Sequence, residues 1–308
     1  MNNIIEVKGL VKKYKKAIAV DNIAFNVREG EIFGFLGPNG AGKSTTINIL
    51  CTMLGRNEGE VYINSLDVYK HQDEVRKNIG IIFQEKTLDE RLTSRENLLI
   101  HGYVYNMNRK VINERIDEVL DIVELKDKKN SIVSTFSGGM KRRLEIARGL
   151  MHFPKILFLD EPTIGLDPQT RVHMWDYLLK LKEKHNTTIF LTTHYMDEAE
   201  ICDNIAIIDH GKIVAYGTPM QLKENLASNR VRFKCTDREK ILNYINANYN
   251  YEVTLPGNDT IEIAVKDSST AFIVNFIKNC NVPIEHLQII RPTLNDVFMN
   301  ITGRDIRE

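Results

Sequence analysis

The sequence contains no long apolar run. Hydrophobic residues make up 43% of the 308 residues, but they occur in short runs such as Ile156-Leu157-Phe158-Leu159. None of these runs approaches the ~18 apolar residues that span a bilayer. The amino terminus also lacks the basic and then apolar order of a secretory signal. We therefore expect a protein that remains in the cytoplasm.

Cysteines are few, and neither sign of charge is in excess. The cysteines are far apart and show no metal or redox spacing, so we expect reduced thiols used as small apolar residues. They are Cys51, Cys202, Cys235 and Cys280. Lys plus Arg and Asp plus Glu both total 41, which gives a net charge of zero. This balance gives no electrostatic footprint for nucleic acid, and we expect no nucleic-acid partner.

A glycine-rich stretch fits the spacing G-x-x-x-x-G-K-[ST] between an apolar run, Ile32 to Leu36, and an amphipathic segment, Ser44 to Leu54. The flanks predict strand, loop and helix, and they favour a phosphate site over a glycine-rich turn that happens to carry a lysine. Backbone N–H groups of the loop can cradle polyphosphate. Lys43 would reach the β- and γ-phosphates, and the Ser44 hydroxyl would bind Mg²⁺. The predicted binding residues are Gly37, Pro38, Asn39, Gly40, Ala41, Gly42, Lys43, Ser44 and Thr45.

An acidic pair, Asp160 and Glu161, follows a second apolar run. Strand ends of this kind are where α/β sheets present ligands, although a solvated turn is the simpler interpretation. One carboxylate can hold Mg²⁺ through water, and the other can orient an attacking water. His194 follows a third β-rich run and is expected at the same edge, where a purely structural histidine is the more common interpretation.

Two further features are candidates for nucleotide contacts. We expect two antiparallel strands, Ile4 to Leu10 and Ala19 to Val27. Tyr14 lies in the basic stretch that would connect them, and its ring could stack on a nucleobase or pack at the surface. Ser137-Gly138-Gly139 precedes a helical pattern. The free N–H groups and positive dipole end there favour an anion, and an ordinary helix cap is the alternative.

The periodicity predicts a large domain of residues 1–226 and a small α+β domain of residues 230–308. A helical period begins at Thr93 and predicts a helical subdomain over about residues 86–150. Beyond a boundary at 227–229, the order of strands and helices is βαββαβ, which is the ferredoxin-like arrangement. The small domain has no cluster of histidines, cysteines or paired carboxylates, so we expect a docking or regulatory module.

In this order and spacing, the motifs resemble the ATP-binding subunit of an ABC transporter over roughly residues 4–226. The motifs are GPNGAGKST, Gln84, FSGGM, ILFLDEP, GLD and His194. The resemblance implies an α/β P-loop NTPase fold with a β subdomain and a helical subdomain. The closing RPTLNDVF and the small domain resemble the C-terminal extension of drug-resistance ATP-binding subunits. Those subunits work with separately encoded ABC-2-type membrane permeases.

The resemblance also implies roles for single residues. Tyr14 stacks on adenine, and Gln84 touches Mg²⁺ and the attacking water and senses the membrane subunit. Asp160 supports the metal, Glu161 is the general base, and His194 contacts the γ-phosphate. The cofactors implied are ATP and Mg²⁺.

A second copy of the chain is implied as well. Ser137, Gly138 and Gly139 would close over the nucleotide of the other copy, and Asp167 would cross the interface of a head-to-tail homodimer. The family usually has leucine and glutamine where this chain has Phe136 and Met140. The Ser-Gly-Gly core is kept, so we expect hydrolysis to be retained.

The function expected is that of the motor of a membrane exporter, peripheral on the cytoplasmic face of the membrane. A soluble ABC ATPase acting on ribosomes or DNA is the alternative. Such proteins usually have tandem ATPase domains or a long interposed coiled coil, and Gly42 and Ser137 are too close in sequence for the latter. A nucleotide-sensing scaffold conflicts with the presence of Glu161 and His194. The transported compound is not encoded in this chain.

Overall fold

The computed structural model describes residues 2–15, 17–85, 87–226, 229–235, 237–257, 259–265, 269–280 and 284–303. The chain divides into two compact units, Met1–Pro219 and Met220–Ile306. The boundary expected at 227–229 includes Ala227 and Ser228, which lie outside the described residues. In this division the helix that begins at Pro219 lies in the second unit from Met220 onward. The domain limits 1–226 and 230–308 therefore stay a prediction.

The first unit contains two sheets and a set of helices. Its strands are β1 (Asn3–Tyr14), β2 (Ala17–Arg28), β3 (Ile32–Leu36), β4 (Glu58–Ile63), β5 (Leu66–Asp67), β6 (Ile79–Ile82), β7 (Ile156–Asp160), β8 (Thr188–Thr193), β9 (Asn204–Asp209) and β10 (Lys212–Gly217). Its helices are α1 (Lys43–Leu50), α2 (Gln72–Asn78), α3 (Ser94–Val104), α4 (Arg109–Ile122), α5 (Gly138–Gly149), α6 (Pro168–His185) and α7 (Met196–Ala199).

The larger sheet has six strands in the order β10-β9-β3-β8-β7-β6, and only β10 runs antiparallel to its neighbour. Every residue of β3 and β8 is buried, as is typical of strands inside a parallel sheet. Phe190 lies at the centre, with its ring 5.4 Å from that of Phe33 and 5.3 Å from that of Phe158. This core fixes the carboxyl ends of β3, β7 and β8 at one edge.

The smaller sheet is antiparallel in the order β2-β1-β4-β5. The two strands predicted near the amino terminus are confirmed, but the connection between them is much shorter than expected. Strand β1 continues through the basic stretch, where Lys12 pairs with Val20, Lys13 with Ile18, and Tyr14 with Ala17. Tyr14 is thus the last residue of a strand, because the lysines lie on its solvated end and their charges do not interrupt the ladder.

The segment between β6 and β7 is helical, as predicted. Thr93 and Glu96 form a capping box at the start of α3, and Asn108 caps α4. Helix α1 is shorter than the predicted segment from Ser44 to Leu54. It ends at Leu50, and Thr52 has a left-handed backbone with φ 62°, which a continuing helix excludes.

The second unit confirms the βαββαβ order. Its elements are α8 (Pro219–Leu226), β11 (Asn229–Cys235), α9 (Arg238–Asn248), β12 (Val253–Thr254), β13 (Thr260–Val265), α10 (Ser269–Asn279), β14 (Ile284–Ile290) and α11 (Leu294–Thr302). The strands form an antiparallel sheet in the order β12-β13-β11-β14. Its core includes the stacked rings of Phe233 and Phe276, 4.7 Å apart. This unit therefore has a hydrophobic core of its own.

The expectation of reduced, buried thiols is confirmed, since all four cysteines are free and buried. Among the helices of the described ranges, none combines the length and the apolar character that a membrane span requires.

Candidate active site

The glycine-rich loop connects β3 to α1 and depends on two glycines. A Cβ atom at Gly37 would lie 2.2 Å from the backbone oxygen of Ile208. Gly42 has φ 113°, and a Cβ atom there would lie 2.4 Å from the backbone oxygen of Ala19. A side chain at either position would displace the backbone, so the loop can keep this tight path only with glycine.

Lys43 lies under this loop and is 5% exposed. Its ammonium group donates to the backbone oxygens of Gly37 at 2.6 Å and Pro38 at 3.0 Å. It also lies 3.6 Å from Oε1 of Glu161. Burial lowers the pKa of Lys43, and the Glu161 carboxylate opposes this shift. The loop thus places a desolvated positive charge beside the acidic turn.

A cavity of about 360 Å³ opens beside the loop. Residues from four separate parts of the sequence line it: Ala19, Asn39, Gly40, Gly42, Lys43, Ser44, Thr45, Gln84, Glu161 and Ile164. The structure therefore brings the loop, Gln84 and Glu161 together. The size of the cavity and the N–H groups of the glycine-rich loop beside it fit the phosphates of a nucleotide.

The acidic turn follows β7 and is fixed by the neighbouring strand β8. The Thr192 hydroxyl donates to the Asp160 carboxylate and accepts from the Glu161 backbone N–H at 3.1 Å. His194 Nδ1 lies 3.2 Å from Oε1 of the buried Glu161 side chain. Glu161 has a left-handed backbone with φ 48°, which costs a non-glycine residue about 1 kcal/mol or more. The turn holds this strained conformation while directing the carboxylate into the cavity.

The oxygen donors near the cavity suit Mg²⁺. Ser44 and Gln84 line the cavity, and Asp160 precedes Glu161 in the acidic turn. Across the described part of the chain, no three His, Cys, Asp or Glu side chains gather as a metal cage. Magnesium commonly takes one or two protein oxygens, phosphate oxygens and water, so this sparse set of donors fits the ion.

The other predicted site residues do not line this cavity. Tyr14 is 46% exposed, with the Lys12 ammonium 5.3 Å from its ring centre. Ser137 caps α5 by accepting from Met140 N–H at 3.3 Å. Asp167 caps α6, and the hydrogen bonds from Thr170 lower the pKa of its carboxyl. Gly138 and Gly139 form the first turn of α5.

Several residues near the site were not identified from the sequence. Ala19 and Ile164 line the cavity but belong to no chemical pattern. Thr192 lies inside an apolar strand, and only its place two residues before His194 could have indicated a role. Glu198 on α7 accepts from the Thr163 hydroxyl, and burial raises the pKa of Glu198.

The fold and this site define a class of protein. Strand β3 of a parallel sheet leads through a glycine loop into a helix, with a buried lysine under the loop and a carboxylate after β7, the second strand along from β3. These are the features of a P-loop nucleoside triphosphatase.

Comparison with known proteins narrows the class. Residues 20–164 match the family described as ABC transporter, and residues 217–302 match the C-terminal domain of DrrA1-3-like ATP-binding proteins. The chain is 44% identical over 236 residues to the daunorubicin/doxorubicin resistance ATP-binding protein DrrA of Streptomyces peucetius, covering 76% of this chain and 71% of that protein. It is 33% identical over 322 residues to the linearmycin resistance ATP-binding protein LnrL of Bacillus subtilis, covering 99% and 100%.

Solved structures give the same result. CbiO1 of Clostridium perfringens, part of the ABC transporter complex CbiONQ, has a TM-score of 0.69 at 25% identity and covers 80% of this chain and 96% of that chain. The ATP-binding cassette MJ0796, in a dimeric post-hydrolysis state bound to ADP and Pi, has a TM-score of 0.62 at 32% identity, covering 70% and 98%.

The chain belongs to the family of ABC transporter ATP-binding proteins, of the DrrA-like type with a C-terminal domain. It is an ATP-hydrolysing subunit of a transporter and uses ATP with Mg²⁺. The relatives support this function over that of a soluble ATPase acting on ribosomes or DNA.

Proposed function

We propose that this chain powers an exporter of the drug-resistance type together with a separately encoded ABC-2-type membrane permease. The observation that carries the proposal is similarity along the whole chain, including the C-terminal domain, to ATP-binding proteins named for resistance to linearmycin and daunorubicin. In the exporter, the chain would lie on the cytoplasmic face of the membrane, bound to the permease.

The contacts around Glu161 support its role as the general base. Its Oε1 atom faces both the Lys43 ammonium, at 3.6 Å, and His194 Nδ1, at 3.2 Å. These two groups orient the carboxylate in a buried site, where it can accept a proton from a water that attacks the γ-phosphate. His194 would then contact the γ-phosphate as well, because it borders the same carboxylate.

The remaining groups position the substrate. Loop N–H groups and Lys43 would hold the phosphates, and Tyr14 would stack on adenine. Mg²⁺ held by Ser44, Gln84 and Asp160 would neutralise charge on the phosphate oxygens. Gln84 is exposed at the cavity, where it can respond to the membrane permease.

Two copies of the chain would complete the site. Ser137 and Gly138 are exposed at the start of α5, and Asp167 caps α6 nearby. A Cβ atom at Gly139 would lie 2.5 Å from Thr170 Cγ2, so the starts of α5 and α6 are in contact. These groups form one surface away from the cavity. We propose that this surface closes over the nucleotide of a second copy in a head-to-tail dimer, as free N–H groups at a helix start favour phosphate.

Reconstitution tests the exporter. The chain is co-expressed with the membrane protein encoded beside it, purified in detergent and placed in vesicles. The expected result is a stable complex whose ATP-dependent drug transport is lost in the Glu161→Gln variant. A chain that purifies with ribosomes, or that shows no association with the membrane protein, would refute the proposal.

A further inference from the structure

Arg142 on α5 joins three parts of the active-site unit. The side chain is buried, with 8% exposure. Its guanidinium donates to the backbone oxygen of Phe83 at 2.6 Å and to that of Pro162 at 2.8 Å. Longer contacts of 3.4 and 3.5 Å reach the backbone oxygens of Asp160 and Glu161. One side chain thus holds the whole acidic turn and the residue before Gln84.

Glu145 extends this network one helical turn further. Its Oε2 atom accepts from Arg142 at 2.8 Å, and its Oε1 atom accepts from the backbone N–H of Thr87 at 3.0 Å. Glu145 is buried as well. Phe83 and Thr87 lie on either side of Gln84, so the Arg142–Glu145 pair holds both ends of the loop that carries this glutamine.

The acidic turn depends on such support. Glu161 has φ 48°, a conformation that persists only where surrounding contacts enforce it. On one side, Thr192 accepts the Glu161 N–H. On the other side, the Arg142 guanidinium donates to the backbone carbonyl groups of the turn. A planar guanidinium with five donors can satisfy several acceptors at fixed angles, which an ammonium group cannot do.

We propose that Arg142, held in place by Glu145, is a positioning residue that couples the Gln84 loop to the conformation of Glu161. Any displacement of this loop moves the Phe83 oxygen and the Thr87 N–H, and both are tied to the guanidinium that holds the acidic turn. The coupling rests on the proposed roles of Gln84 as sensor and Glu161 as base. Arg142 itself touches neither substrate nor metal in this scheme.

Arg142→Lys in the full chain tests the proposal. Lysine keeps the charge but replaces the planar array of five donors with a compact ammonium group, so the acidic turn loses its fixed geometry while the phosphate loop is untouched. We expect kcat for ATP to fall about tenfold or more, with the Kd for Mg-ATP within about twofold of wild type. The matched control is Arg143→Lys, since Arg143 bonds to the Val123 oxygen at 3.2 Å and the Tyr177 hydroxyl at 3.0 Å, away from the turn. A wild-type kcat in Arg142→Lys would overturn the proposal.

Glu145→Gln gives an independent measurement if Arg142→Lys does not fold. The amide keeps the size but weakens the hold on Arg142, and we expect a several-fold loss of kcat at unchanged Kd. Because the pair acts as a unit, the double variant should be no slower than Arg142→Lys alone. Losses that multiply, or a wild-type kcat in Glu145→Gln, would overturn the coupling. If Glu161→Gln hydrolyses ATP at the wild-type rate, the proposed base is wrong. If Glu161→Gln loses turnover and Arg142→Lys keeps it, only the inference about Arg142 fails.

Discussion

His194 Nδ1 lies 3.2 Å from Glu161 Oε1, across the edge where β7 and β8 end side by side. The two residues are far apart in sequence, and the parallel register that pairs Asp160 with Thr192 brings them together. The sheet therefore creates the pair, and each partner orients the other. A third group, the Lys43 ammonium, approaches the same carboxylate oxygen at 3.6 Å.

Lys43→Ala should weaken the binding of Mg-ATP by about tenfold to a hundredfold, since hydrogen bonds to charged groups contribute about 1.5–3 kcal/mol. The glycine backbone that shapes the loop is unchanged by this substitution. Nucleotide titration by calorimetry measures the Kd. Lys8→Ala is the control, because Lys8 lies on β1 and pairs with Glu6 at 3.0 Å. Equal affinities in the two variants would show that the loop is not the nucleotide site.

Glu161→Gln should bind ATP with an affinity near that of wild type but lose turnover by about a hundredfold or more, because an amide cannot accept the proton of the attacking water. The unhydrolysed nucleotide should then hold two copies together. Phosphate release measures turnover, and size-exclusion chromatography with ATP measures the dimer. Glu60→Gln, at an exposed position on β4, serves as the control. Hydrolysis at the wild-type rate in Glu161→Gln would exclude this residue as the base.

Much of the site could be predicted because its residues lie in short local motifs. Gly37, Gly42 and Lys43 occupy positions fixed by the turn between one strand and one helix, and local spacing is enough to identify them. The βαββαβ order of the second unit was predictable for the same reason, since each element has its own hydrophobic period.

Other parts depend on contacts between distant segments. Arg142 lies in a helix with many basic residues, and nothing in its spacing distinguishes it from Arg143. Its importance follows from the carbonyl groups of Phe83 and Pro162, which only the fold brings to it. Strand β1 was predicted too short because charge suggests a loop, whereas ladder pairing at a solvated strand end tolerates lysines.

Stability should fall in mildly acidic solution because of a pair of half-buried histidines. The rings of His101 and His152 are 5.7 Å apart, and that of Tyr105 is stacked on His152 at 3.8 Å. Burial lowers the pKa of His101 from 6.5 to about 3 and that of His152 to about 4. Below the ordinary histidine pKa, these two side chains bind protons in the unfolded state but not in the folded state. The stability is thus complete above about pH 6.5 and is lost as the pH falls toward these lower values.

Urea unfolding at about pH 7 and about pH 5 measures this loss, which is at most about 1.4 kcal/mol per pH unit for each histidine. His152→Gln should reduce the difference in the free energy of unfolding between the two pH values, because it removes one of the two titrating groups. The glutamine amide can still donate to the Ile79 oxygen that His152 Nε2 contacts at 2.8 Å. His71→Gln is the control, since His71 is exposed beside Glu74. An identical pH dependence in wild type and His152→Gln would contradict the assignment.

Removal of the second unit should leave nucleotide binding in place while weakening dimerisation or coupled transport. All the residues that line the cavity lie before Pro219, and the second unit has its own core around Phe233 and Phe276. Its antiparallel sheet offers a face or an edge that can steady two copies against each other or limit how far they part. Truncation after Leu226, which removes the second unit except α8, is compared with the full chain by analytical ultracentrifugation with and without ATP. Equal dimer constants and equal transport would exclude this role, whereas a folded truncation without nucleotide binding would mean that the ATPase domain extends beyond Leu226.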